Sequence, residues 1–83
     1  MPQCVLFDEP SLGLAPNLVE NILNIVQQIS AEGITVILVE QEVRKALKIS
    51  HRGYVLENGR IVTSGKSEDL MADPQIKKSY LGL

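Results

Sequence analysis

Two short apolar runs without polar alternation constrain this chain most. Val5-Leu6-Phe7 ends abruptly in the neighbouring carboxylates Asp8 and Glu9, and Thr35-Val36-Ile37-Leu38-Val39 ends in Glu40, Gln41 and Glu42. Such runs suit strands buried on both faces, as in a parallel α/β sheet. Between them the spacing is helical. Val19, Ile22, Leu23, Val26 and Ile29 form one stripe, widened by Leu18 and Ile25, with Glu20, Asn24, Gln27, Gln28 and Ala31 on the other side. Pro16 suits the first helical position, where its missing N–H costs nothing, and Gly33 suits the stop. Strand, helix, strand is therefore predicted from Cys4 to Val39, with a right-handed crossover and the two strand ends side by side.

Ligand sites in open α/β sheets lie beyond the carboxyl ends of the strands, where Asp8 and Glu9 stand. Neighbouring side chains on a strand point in opposite directions, so this pair suits two separate jobs rather than one shared proton. One carboxylate could hold a hydrated cation while the other reaches a nucleophile, a division that phosphoryl transfer needs. The residues by themselves equally allow a strand ending in a solvated acidic turn. Gln41, at the end of the second strand, reads as a candidate site residue or as a polar start to the next helix.

The chain has 83 residues, and each βαβ unit takes about 30 or more, which leaves little room for a full parallel α/β domain. We expect a C-terminal piece of a larger domain, with an unpaired strand edge that makes it poorly soluble in isolation. The net charge of −2 and a pI near 5.2 give no electrostatic footprint for nucleic acid. Arg44-Lys45 with Lys48, and Lys77-Lys78, read as solvated helix faces. No apolar run approaches the ~20 residues of a membrane span. A single cysteine, Cys4, excludes an internal disulfide, and its apolar neighbours predict a core thiol.

Beyond Glu42 the elements shorten. Val43, Ala46 and Leu47 predict a short helix. Asn58-Gly59 between Tyr54-Val55-Leu56-Glu57 and Arg60-Ile61-Val62-Thr63 predicts a hairpin with a type I′ turn. Ser67 is expected to cap a helix with Glu68 and Asp69 in its first turn, and Asp73-Pro74 to start a last helix ended by Gly82. Gly59 to Ser67 imitates a phosphate loop, but five residues rather than four separate its first glycine from Gly65-Lys66-Ser67. Residues 60–63 also read as a hairpin arm, which cannot curl its N–H groups around phosphate. His51 has no Cys or second His at ligand spacing and reads as a surface residue.

Taken in order, Leu6-Phe7-Asp8-Glu9-Pro10-Ser11, then Gly33 to Gln41, then Gly53 to Val62, resemble the C-terminal third of an ABC-transporter ATPase subunit. The resemblance covers nearly the whole chain. It is greatest to ATPases of branched-chain amino-acid importers, to which Glu40-Gln41 and the loop from Ser11 to Pro16 point. It implies an α/β fold: the C-terminal part of a P-loop NTPase domain, with parallel strands, flanking helices, a β-hairpin and short helices, residues 1–83 forming one such segment.

The resemblance also implies roles. Asp8 would be the Walker B aspartate, acting on Mg²⁺ through water, and Glu9 the carboxylate that polarises the attacking water. Leu12 to Ala15 match the D-loop beside a partner's nucleotide, so Ser11, Leu12, Gly13 and Leu14 join Asp8 as candidate ATP-binding residues. Gln41 matches the switch position that contacts the γ-phosphate. Two departures stand out. Ala15 replaces the usual Asp, which removes a possible helix cap, and Gln41 replaces the usual His, which leaves more of the work to Glu9. The phosphate loop, Q-loop and signature motif, upstream in the family, do not occur here, so the 83 residues alone are expected to be inactive. The intact protein would be an ATP-hydrolysing subunit, paired with a second ATPase subunit and docked on membrane permease subunits. It would be peripheral on the cytoplasmic face of the plasma (inner) membrane. Urea, short amides or another solute are alternative cargoes, and a non-catalytic remnant is an alternative of another class.

Overall fold

A computed structural model describes residues 4–82. They fall into two compact units, the first ending at Gln41 and the second beginning at Glu42.

The first unit is strand, helix, strand: β1 (Cys4–Asp8), α1 (Pro16–Ala31) and β2 (Thr35–Val39). The strands pair in parallel, from Cys4 opposite Thr35 to Asp8 opposite Val39. This register puts Val5, Phe7, Val36 and Leu38 on one half-buried face. Helix α1 packs against β2 and buries Val19, Leu23 and Val26, with Ile22 and Ile29 half-buried. It starts at Pro16 and stops at Ala31, two residues before Gly33, whose φ of +89° is readily reached only without a Cβ. Ala15 precedes the helix in extended conformation and supplies no side-chain cap.

Two expectations need correction here. The strands are not buried on both faces: Leu6 is 64% exposed and Ile37 52%. Cys4, on that same open face, is exposed rather than a core thiol. The cause is that, among the described residues of this unit, α1 is the only helix, and it covers one side of the pair. Leu18 and Ile25, the margins of the α1 stripe, are likewise exposed.

The second unit holds α2 (Val43–Ile49), β3 (Arg52–Glu57), β4 (Arg60–Lys66), α3 (Ser67–Ala72) and α4 (Pro74–Tyr80). Strands β3 and β4 form the predicted antiparallel hairpin, with a register shift between Val55 and Leu56. Asn58 and Gly59 turn it with φ of 51° and 76°, the two positive values a type I′ turn requires. Leu47, Leu70 and Ile76 form the core, with Val43, Val55, Met71, Tyr80 and Leu81 packed against it. Gly53 lets the hairpin backbone close on this core: a Cβ there would lie 2.8 Å from Leu70 Cδ1 and 2.9 Å from Leu47 Cδ2.

Asp73 caps α4 as predicted, its carboxylate accepting from the N–H groups of Gln75 and Ile76 at 2.8 Å and 3.4 Å. Ser67 does not cap α3. It is the first helical residue, and its hydroxyl bonds that of Ser50 at 2.7 Å. Residues 60–66 form β4, so the glycine-rich imitation of a phosphate loop is a hairpin arm, as its context predicted. Among the described residues no helix is long and apolar enough to cross a membrane.

Candidate functional site

The parallel register decides which chemical groups meet. Asp8 ends β1 opposite Val39, the last residue of β2. The backbone N–H of Glu9 then donates to the Val39 carbonyl at 2.8 Å, carrying the pairing one step past the strand. Asp8-Glu9 and Glu40-Gln41 thus leave the sheet together at its carboxyl end. Asp8 is exposed, Glu9 half-buried and Gln41 exposed. The two carboxylates have different surroundings, but not through the strand alternation expected from sequence, because β1 ends at Asp8 and Glu9 already belongs to the turn.

Glu9 is one of two non-glycine residues at positive φ among the described residues, at 49°. That left-handed conformation costs an L-residue roughly 1–2 kcal/mol. The chain reverses here. The Leu12 N–H donates to the Glu9 carbonyl at 3.2 Å, and the Leu14 N–H to the Ser11 carbonyl at 3.1 Å. The turn carries Leu12, Gly13 and Leu14 outward, all exposed.

Ser11 behaves differently from the rest of its loop. It is 8% exposed, and its Oγ lies 2.7 Å and 2.6 Å from the two carboxylate oxygens of Glu40. The hydroxyl has one proton to donate, divided between both acceptors. From sequence, Ser11 groups with the candidate nucleotide-facing residues and Glu40 has no assigned partner. Twenty-nine positions separate the two, so no local spacing marks the contact. The one available hint was the side-by-side arrangement of the strand ends.

Asp8 stands apart from any ready-made metal cage. Among the described residues no cluster of three or more His, Cys, Asp or Glu could hold a metal ion. A single exposed carboxylate fits Mg²⁺, which keeps several waters and takes one or two protein carboxylates with phosphate oxygens. It does not fit a dehydrated structural cation. His51 lies in the second unit, exposed ahead of β3.

No protein-family model matches the chain. Curated relatives do. The chain is 49% identical over 81 residues to the high-affinity branched-chain amino acid transport ATP-binding protein BraG of Pseudomonas aeruginosa, covering 98% of this chain and 35% of that protein. It is 35% identical over 81 residues to the lipopolysaccharide export system ATP-binding protein LptB of Acidithiobacillus ferridurans, covering 98% of this chain and 34% of the relative. Among solved structures, the ADP conformation of an ATP-binding cassette of an ABC transporter superposes with a TM-score of 0.75 at 31% identity, covering 99% of this chain and 34% of that one. The chain spans about a third of the length of the proteins it matches.

Proposed function

Because this chain belongs to the ATP-binding subunits of ABC transporters, we propose that residues 1–83 are the C-terminal segment of an ATP-hydrolysing domain that drives solute import. The observation that carries this reading is the β1–β2 register, which supports a shared site for Asp8, Glu9 and Gln41. Bound magnesium-ATP would supply the phosphoryl group to be transferred. Asp8 would hold the ion through its water shell. Glu9, fixed by its bond to Val39, orients the attacking water and takes up its proton. Gln41 donates an amide N–H to a phosphate oxygen, and being neutral it leaves proton handling to Glu9. Leu12, Gly13 and Leu14 line the exposed turn beside the site, as candidate contacts to nucleotide held by a second ATPase subunit.

The test is Glu9→Gln in the full-length subunit. It should retain nucleotide binding and lose nearly all turnover, because the amide keeps the shape and loses the base. Turnover within twofold of the parent would remove Glu9 from the role.

We further propose branched-chain amino acids as the cargo, on the similarity to BraG. The subunit would work at the cytoplasmic face of the membrane with permease subunits. LptB, at lower identity, shows that similar segments serve other transport systems, and urea or amide uptake is the alternative. Uptake of labelled leucine by cells carrying or lacking the intact subunit decides the cargo. Equal uptake in both would exclude it.

A further inference from the structure

The contact between Ser11 and Glu40 joins two loops to which the proposed function gives separate jobs. Ser11 follows Glu9 by two residues, and Glu40 directly precedes Gln41. Their side chains meet at 2.6–2.7 Å, within the range of a hydroxyl donating to a charged carboxylate, which is stronger than a neutral bond. Two residues before Ser11 and one before Glu40, the Glu9 N–H reaches the Val39 carbonyl at 2.8 Å. Five residues therefore close a small ring: Glu9, Pro10 and Ser11 on one side, Val39 and Glu40 on the other. Pro10 fixes one φ inside that ring and stiffens it. Ser11 is buried and Glu40 half-buried, so separating them would leave a polar group poorly solvated.

We propose that Ser11 and Glu40 are a positioning pair, which sets the Glu9 carboxylate against the Gln41 amide for hydrolysis. This rests on the reading of Glu9 and Gln41 given above. The pair acts through the backbone of its neighbours, which carry the Glu9 carboxylate and the Gln41 amide. A small displacement of a reacting group is enough to slow chemistry without weakening ground-state binding.

The experiment is steady-state ATP hydrolysis by the full-length subunit in its transport complex, with nucleotide affinity measured alongside. Ser11→Ala and Glu40→Ala should each lower kcat about tenfold with KM for ATP unchanged within about twofold, the signature of an effect on the transition state alone. The double variant should be no slower than either single one, because both remove the same contact. Ser11→Thr keeps the hydroxyl and should restore kcat to within about twofold of the parent. If the alanine variants do not fold, Glu40→Gln, whose amide oxygen still accepts from Ser11, should stay closer to the parent than Glu40→Leu, which cannot accept. Unchanged kcat in Ser11→Ala, or losses that multiply in the double variant, would overturn the pair. Glu9→Gln is the control that separates the two ideas. If it is inactive while Ser11→Ala matches the parent, only the positioning pair fails. If it is as active as the parent, the site reading falls and the pair with it.

Discussion

Glu9 holds a backbone conformation that glycine would adopt more easily, at φ 49°. Strain of this kind is retained where the side chain is needed or where surrounding bonds dictate the turn. The two causes separate in Glu9→Gly. That variant should stabilise the intact subunit by about 1 kcal/mol, read as a raised thermal midpoint, while abolishing hydrolysis. A loss of stability would instead mean that the side chain supports the turn. Asp8, Glu9 and Gln41 were legible as candidates because each stands at the end of an apolar run. The Ser11–Glu40 contact was not, since a bond between two loops depends on strand register, and register is not written in local spacing.

At the scale of elements, α1 shows both the reach and the limit of periodicity. Pro16, the stripe through Val19, Leu23 and Val26, and Gly33 define its bounds and buried side. The missing cap at Ala15 was also legible, and the structure has no side-chain acceptor there. Ala15→Asp should therefore stabilise the helix by about 1 kcal/mol, measured by chemical denaturation of the intact subunit at neutral pH. No change would mean that other groups already satisfy the first-turn N–H groups. The strands were read less well. Their unbroken apolar sequence called for cover on two sides, but in this unit α1 supplies only one. Likewise Ser67 had the residue type of a cap, yet its hydroxyl was claimed by Ser50 across the unit.

At the scale of the whole molecule, each unit carries a small core. The buried apolar side chains are Val19, Leu23 and Val26 in one, and Leu47, Leu70 and Ile76 in the other. With so little burial, contacts between distant elements matter more. In the second unit the Tyr80 hydroxyl at the end of α4 donates to the Glu57 carboxylate at the end of β3. This bond, aided by desolvation and the nearby charge, holds the phenol above its ordinary pKa. The sign follows: the link contributes fully below the unfolded phenol value of about 10 and is lost as pH rises through the higher folded one. Ultraviolet titration should show one tyrosine ionising late, and Glu57→Gln should bring it back towards the ordinary range. An unchanged titration in that variant would remove the contact as the cause.

The register shift in the hairpin has an effect beyond its own two strands. Val55 faces Thr63 and Leu56 faces Ile61, so Val62 has no partner across the ladder. An added residue of this kind bends the strand and tightens its twist, and proteins use that device to make an edge unwelcoming to a foreign strand. The parallel pair, by contrast, runs from Cys4 to Asp8 without interruption. Intermolecular zippering would consequently start on the uninterrupted ribbon beside the carboxylates and stall on the one with the register shift.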